Sequence, residues 1–291
     1  LWLGNMLDPT IPVPHALLCH NPHRFYRSRE WVPKGVRLGG RYHAQALLRR
    51  LRFARDLKHA SLLLPQTRTA ERRIRAMYGY TGPVVRCPNA VSEIVRDASA
   101  AGMPASLRPY ASKRKLFCLT RYYRHKNLET LVDLFDHYAR ELADTVLVIT
   151  VAADQHAGAR RLLQQIRVRG LEDRIVNVGP LPQDALPGYY RASDAFILPT
   201  LLESFSGTYL EAMHFGLPIL TSDSDFAREI CGDAALYFEP MDLASILGTI
   251  DRLGNTPDLV ARGRQRLAHV GMTWDEIVLP VLDGLAAIAG R

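Results

Sequence analysis

The sequence predicts an α/β protein built on doubly wound parallel sheets and divided into two domains. Three observations predict this. From residue 112 to residue 272, strand-like and helix-like patterns alternate, and β-α units of this length give a parallel sheet with right-handed crossovers. A chain of 291 residues is long enough for two domains of ordinary size. Charge divides unevenly: residues 1–111 hold 18 Lys and Arg against 6 Asp and Glu, or +12, and the remainder holds 19 against 23, or −4. Such asymmetry marks two halves and suggests that the first meets something anionic.

The first half reads as part of a sheet. His15–Cys19 and Ala60–Leu64 are strands, and Val84–Arg86 is a further short one. Tyr42–Leu57 is a helix with Leu47, Leu48, Leu51 and Ala54 on one face. The pattern breaks near Ala105–Ser112, where small residues and Pro109 mark the boundary, so residues 1–111 are expected to form a partial first domain.

In the second half, 112–272, Lys115–Leu119 is a strand and Leu128–Leu142 a helix with apolar residues at helical spacing. Thr145–Val151 is a β-branched strand, Arg160–Val168 a helix, Arg174–Val178 a strand and Asp184–Ala192 a short helix. After the unit described below come the strand Ala235–Phe238 and the helices Leu243–Leu253 and Pro257–Val270. Residues 273–291 add a last helix, Trp274–Ile288.

Composition narrows the class. The hydrophobic share of 47% is that of a globular protein. No apolar run reaches membrane-spanning length, and no basic-then-apolar leader is visible behind Leu1. Cys19, Cys87, Cys118 and Cys231 are scattered, without a C-x-x-C pair. They read as free thiols in a reducing compartment, so the expected location is cytoplasmic.

The stretch Pro199–Pro218 carries the most chemistry. Asp194–Pro199 is an apolar run ending at proline, a buried strand. A loop with Ser204, Ser206 and Gly207 follows, then a helical pattern with Tyr209, Leu210, Met213 and Phe215. Gly216-Leu217-Pro218 ends that helix, and Ile219–Leu220 opens another strand. The free N–H groups and positive dipole end of such a helix form an anion site. Glu203 lies in the loop and Glu211 about one turn inside the helix; eight helical residues span roughly 12 Å. That is the reach of a sugar at one carboxylate, a pyrophosphate over the helix start and a ribose at the other. Spacing alone allows two solvated glutamates; the strand–loop–helix setting makes the pair specific.

In that setting the chain resembles the retaining nucleotide-sugar glycosyltransferases of family 4. Their E-x7-E motif, followed by E-A-M and G-x-P, matches Glu203, Glu211-Ala212-Met213 and Gly216-Leu217-Pro218. Members often carry Gly-Phe-Gly after the first glutamate, where this chain has Ser204-Phe205-Ser206-Gly207, with the glycine displaced by one position. The resemblance implies the GT-B fold of two Rossmann-like domains, and covers the second domain almost entirely but only the later half of the first. The family's opening β-α units and glycine-rich loop are not found before Leu1, so the first domain is expected to be incomplete. It also implies that the terminal helix packs back on the first domain.

The same resemblance assigns roles. Arg121 and Lys126 follow the Lys115–Leu119 strand, where ligands of open α/β sheets bind. The family has Arg and Lys at this spacing, to neutralise the donor diphosphate. A solvated basic loop is the alternative, and is the reading for Arg124 and His125. Ser206 and Gly207 fall at the phosphates, and Glu211 at the ribose hydroxyls, since a carboxylate accepts two hydrogen bonds from a vicinal diol. Glu203 falls near the donor sugar. A direct nucleophile would need a second carboxylate about 5 Å away, and the sequence shows none; the family is held to react by front-face displacement. His20, at the end of the His15–Cys19 strand, matches a family histidine near the donor sugar, or is a structural strand-end histidine. Gly179 and Leu181 fall where the family holds the nucleobase. Asn89 reads as an interdomain turn. Asp223-Ser224-Asp225 reads as a loop, and neither metal nor cofactor is expected.

These readings imply a retaining, metal-independent enzyme that moves a sugar from a UDP- or GDP-sugar to the hydroxyl of a glycan or glycolipid acceptor, in polysaccharide or lipopolysaccharide assembly. A donor-binding but inactive remnant is the alternative. A basic nucleic-acid-binding protein is a third reading, against which stands the lack of an aromatic-rich basic strand or zinc spacing. The arginine-rich helix Tyr42–Leu57 either lies on an anionic membrane, which would make the protein peripheral at the inner face, meets a phosphorylated acceptor, or is simply a solvated face.

Overall fold

Short runs rich in Leu, Ile, Val and Phe become the strands, and helices of ordinary length link them. The computed structural model describes the chain except residues 3–5, 34, 35, 37, 97–101, 272 and 291. Contacts divide the chain into two compact units: Leu1–Ala90 with Leu202–Ser206 and Met272–Arg291, and Val91–Leu201 with Gly207–Gly271. The division in sequence falls at Ala90, upstream of the small-residue stretch 105–112.

The first unit runs β1 (His15–Cys19), α1 (Ser28–Trp31), α2 (Gly40–His59), β2 (Ala60–Pro65) and α3 (Arg68–Tyr78). β1 and β2 pair in parallel, with Ala16 opposite Leu62 and Leu18 opposite Leu64. Single bridges flank them, Trp2 beside Leu17 and Val84 beside Leu63. The strand expected over Val84–Arg86 is therefore reduced to one bridge, although Val85 N and Cys87 N donate to the carbonyls of Leu63 and Pro65. Prolines 83 and 88 bracket it and supply no N–H to lengthen a ladder. α3 was not expected from sequence. Thr67 Oγ1 caps its start by accepting from Ala70 N (3.0 Å), and Gly79, at φ +66°, ends it.

The face of α2 that packs inward is not the leucine stripe. Phe53, Asp56 and Leu57 are buried, whereas Leu47, Leu48 and Leu51 are 59%, 56% and 58% exposed. The stripes lie on different sides of the helix, and periodicity alone did not tell which one meets the sheet.

The second unit holds α4 (Glu93–Arg96), β3 (Arg114–Cys118), α5 (Leu128–His137), β4 (Thr145–Ile149), α6 (Ala157–Val168), β5 (Ile175–Asn177) and α7 (Leu186–Arg191). It continues with β6 (Ala195–Leu198), α8 (Gly207–His214), β7 (Ile219–Ser222), α9 (Asp225–Cys231), β8 (Ala235–Phe238), α10 (Leu243–Asp251) and α11 (Leu259–Val270). Its sheet has the order β5-β4-β3-β6-β7-β8, parallel throughout. The chain starts at β3, winds outward through β4 and β5, then returns to the other side of β3 and continues through β6, β7 and β8. The topological switch point lies between β3 and β6.

Several local boundaries differ from expectation. α5 stops at His137, and Leu142 reaches the core from a following turn. Two consecutive elements, a 3-10 turn at Gln183–Ala185 and α7, replace the single helix 184–192. The Asp223-Ser224-Asp225 loop is short, because Asp225 already opens α9.

The last helix, α12 (Trp274–Ala289), belongs to the first unit. Thr273 and Glu276 form a reciprocal capping box at its start. Val281 and Ile288 pack with Ala16, Leu62 and Leu64. Gly284 permits the approach, since an added Cβ would lie 3.0 Å from Leu62 and 3.1 Å from Val85.

Candidate functional site

Two loops and one helix meet at the switch point of the second unit. The first loop follows β3 and carries Arg121 and Lys126. It is held at both ends. Thr120 N donates to Thr150 Oγ1 (3.1 Å), whose hydroxyl donates back to the Thr120 carbonyl (3.0 Å). Gln155 pairs with the Tyr122 backbone in both directions, at 3.1 and 3.0 Å. The Tyr122 ring stacks on His156, and its hydroxyl donates to Glu129 (2.6 Å). Burial, reinforced by that carboxylate, pushes the Tyr122 hydroxyl far above its ordinary range.

Asn127 closes this loop at φ +57°, the one non-glycine in the left-handed region among the described residues. Its Nδ2 donates to the Pro240 carbonyl (2.9 Å), and its Oδ1 accepts from Thr130 (2.9 Å). Asparagine tolerates this backbone better than other side chains, and here its amide is used in both directions. Arg121 is exposed and Lys126 half-buried.

The loop is also tied to the exit of β6. The His125 carbonyl accepts from Leu201 N (2.7 Å) and from Thr200 Oγ1 (3.2 Å). The Lys126 turn thus lies beside the strand whose chain leads on to α8. α8 itself is fixed to the sheet: Tyr209 and Thr221 share a hydroxyl bond of 2.7 Å, and Thr221 donates to the Leu198 carbonyl (3.1 Å). Tyr209, Leu210, Ala212 and Met213 are buried. Gly216, at φ +69°, ends the helix turn and releases the chain into β7.

Glu211 occupies the fifth position of α8. Its Oε2 accepts from the Tyr190 hydroxyl at 2.7 Å. Burial raises the carboxyl above its ordinary value, and the Tyr190 bond partly offsets this. Tyr190 is fully buried, stacks on Phe215 at 5.0 Å and meets Phe117 edge-on at 5.2 Å. Sequence reasoning missed Tyr190: it stands 21 residues before Glu211, and no local pattern links them.

Gly179 follows β5 at the same carboxyl edge of the sheet, at φ +73°, with its N–H donating to Asn177 Oδ1 (3.3 Å). Leu181 is half-buried. β5 is separated from β3 by β4, so these two residues lie along the edge from the switch point and not at it.

The remaining candidates group differently. Glu203 and Ser206 count with the first unit, Gly207 and Glu211 with the second. Within the first unit, Ser204 Oγ donates to the His20 carbonyl (2.6 Å) and lies 2.7 Å from Gln66 Oε1. Gln66 in turn donates to Asn89 Oδ1 (2.9 Å). His20 is exposed at the end of β1, and Glu203 is buried, with 9% of its surface accessible. Gln66 was not singled out by the sequence, and its link to Ser204 spans 138 positions, beyond any motif.

The D-x-D triplet is engaged locally. Asp223 pairs with Arg228 at 2.7 Å, which holds its carboxyl below the ordinary value. Among the described residues no group of three His, Cys, Asp or Glu could hold a metal ion. Among them, too, no helix is long and apolar enough to cross a membrane.

The D-inositol 3-phosphate glycosyltransferase of Salinispora tropica is 29% identical over 150 residues, 49% of this chain and 31% of that protein. The O-antigen chain mannosyltransferase B of Escherichia coli is 34% identical over 86 residues, 29% of this chain and 23% of that protein. The chain thus spans about a third or less of these relatives' own length.

Among solved structures, the sucrose-phosphate synthase of Thermosynechococcus elongatus superposes with a TM-score of 0.72 at 19% identity, over 92% of this chain and 66% of that one. Anabaena Alr3699/HepE, solved with UDP and glucose, gives 0.67 at 16% identity over 94% and 71%. At these identities the likeness shows the fold, the α/β GT-B architecture. The model of the family described as "Glycosyl transferases group 1" matches residues 102–267, more than half the chain and inclusive of Arg121, Lys126, Glu203 and Glu211. On that match this chain belongs to the glycosyl transferases group 1 family.

Proposed function

We propose that the chain carries the donor side of a retaining, metal-independent glycosyltransferase of family 4, transferring a sugar from a nucleoside-diphosphate sugar to an acceptor hydroxyl. The observation that supports this most is the position of the Arg121–Lys126 loop and of α8 on either side of one switch point, where open α/β sheets bind ligands. Arg121 and Lys126 neutralise the diphosphate, with Ser206 and Gly207 offering the N–H groups of the helix start. Their two positive charges supply the charge stabilisation that a divalent cation would otherwise provide. Glu211 takes the ribose hydroxyls, and Gly179 and Leu181 the nucleobase.

Glu203 and His20 are assigned to the donor sugar by resemblance. In the reaction, the bond from the anomeric carbon to the phosphate oxygen breaks as the acceptor oxygen bonds to the same face of that carbon. The acceptor proton passes to the departing diphosphate. Names among the relatives, O-antigen chain mannosyltransferase B and lipopolysaccharide core biosynthesis mannosyltransferase LpsB of Rhizobium meliloti, favour a glycan or glycolipid acceptor in envelope polysaccharide assembly. The compartment proposed is the cytoplasm.

A thermal-shift series with UDP- and GDP-sugars, each with and without a chelator, tests the reading. Stabilisation by one donor, kept in chelator and lost in Glu211→Ala, is expected. Stabilisation by none of them sinks it. Stabilisation without release of nucleoside diphosphate from any acceptor mixture identifies a donor-binding chain that does not turn over.

A further inference from the structure

We infer that Thr150 and Gln155, in the loop from β4 to α6, are positioning residues that preset Arg121 for the diphosphate of the donor. The inference rests on the donor-site reading proposed above and adds two residues to it.

β3 ends at Cys118, and beyond it the backbone is bonded by side chains. Arg121 stands between two residues that are gripped in the same way. Thr120 exchanges both its N–H and its carbonyl with the Thr150 hydroxyl, and Tyr122 does the same with the Gln155 amide. The Arg121 carbonyl accepts from the Thr120 hydroxyl at 3.0 Å. The bracket is reinforced through the Tyr122 ring. Its hydroxyl donates to Glu129 of α5, and a Cβ added at Gly158, in the first turn of α6, would strike the ring.

Thr120 and Tyr122 are buried, so their backbone groups need partners, and the bracket supplies them. The residue between them is exposed, and its reach toward a ligand depends on where its backbone is held. Holding that backbone before the ligand arrives lowers the ordering cost of binding. The far end of the loop is held separately, by the bonds of the His125 carbonyl to Leu201 and Thr200 and of Asn127 to Pro240. Thr150 and Gln155 therefore act on Arg121 and not on Lys126.

The test is calorimetric titration of the whole chain with UDP and with GDP, arranged as double-mutant cycles. Gln155→Ala removes both bonds to Tyr122 and should weaken binding about tenfold, but less than about twofold once Arg121→Ala is present. In the Lys126→Ala background it should keep its full effect. Thr150→Val should give the same pattern. Gln155 is half-buried in a loop, so its variant is expected to fold even where the buried Thr150 variant does not. Equal weakening with and without Arg121, or no weakening by Gln155→Ala, overturns the inference and leaves the donor reading standing. Coupling of equal size to Lys126 would mark a general ordering of the loop and overturns it as well. A parent chain that binds neither UDP nor GDP overturns the donor reading, and this inference with it.

Discussion

The Tyr190 hydroxyl donates to Glu211 Oε2 across 2.7 Å, from α7 to α8, and holds a carboxylate that burial disfavours. The tyrosine has little freedom to do otherwise, being fully buried between Phe117 and Phe215. On the donor-site reading proposed above, Tyr190 is a positioning residue that fixes one oxygen of Glu211 and leaves the other for the ribose. Tyr190→Phe should therefore weaken nucleoside diphosphate binding about tenfold, the worth of one hydrogen bond to a charged group. A 2′-deoxynucleotide should lose much less on the same change. Calorimetric titration of both nucleotides decides it, and equal losses would mark a merely structural role.

Protonation of Glu211 makes a second prediction. Its folded value lies above the ordinary 4.5, so the folded state holds this proton more tightly than the unfolded one. The stability it lends is full below pH 4.5 and is lost as pH rises through the raised value. Glu211→Gln should thus raise the thermal midpoint at neutral pH and leave it near that of the parent at pH 4. Nucleotide binding should move the other way, weakening in the variant at pH 7. In the parent it should weaken as pH falls and the carboxylate is protonated. A midpoint lowered at neutral pH would contradict this account.

For Arg121→Ala and Lys126→Ala the expected result is weaker binding of nucleoside diphosphate, about tenfold each, a figure held low because Arg121 is exposed. Binding of the bare nucleoside should not change. Arg124→Ala, on the same loop, serves as the control and should bind normally. Unchanged affinity in either of the first two variants removes that residue from the site.

Asn127 offers a fourth test, one of architecture. Asn127→Ala loses the bonds to Pro240 and Thr130 and forces alanine to φ +57°. The cost should be about 2–3 kcal/mol by chemical denaturation. Asn127→Gly keeps the backbone at ease and should cost about 1 kcal/mol less. Equal losses would show that only the side-chain bonds matter.

Elements with their own local signal were legible before the structure. β1 and β8 fall on the residues expected, since each is an uninterrupted apolar run between polar breaks. The parallel sheet of the second unit was legible in the β-α alternation, though its strand order was not, and the E-x7-E setting brought Glu203 and Glu211 to notice. What escaped has physical causes. α3 is arginine-rich with only a thin buried stripe, Thr69, Ala70 and Ile74, so its period is faint. α9 has seven residues and hides behind an acidic triplet. In α2 two apolar stripes compete, and the sheet chose Phe53 and Leu57. Tyr190 and Gln66 act over distances along the chain that no local pattern spans.

Ser204 shows how far the molecule can be taken apart. Its hydroxyl is fastened to the carbonyl of His20, 184 positions earlier, and lies against Gln66. The chain enters this five-residue stretch from β6 and leaves it into α8, both of the other unit. Cutting at Ala90 would yield a fragment with intact strands, yet Ser204 would have lost both anchors. Modularity in this chain is a property of its contacts and not of its linear order. A cloned first half would lack the bonds that Ser204 makes to His20 and Gln66.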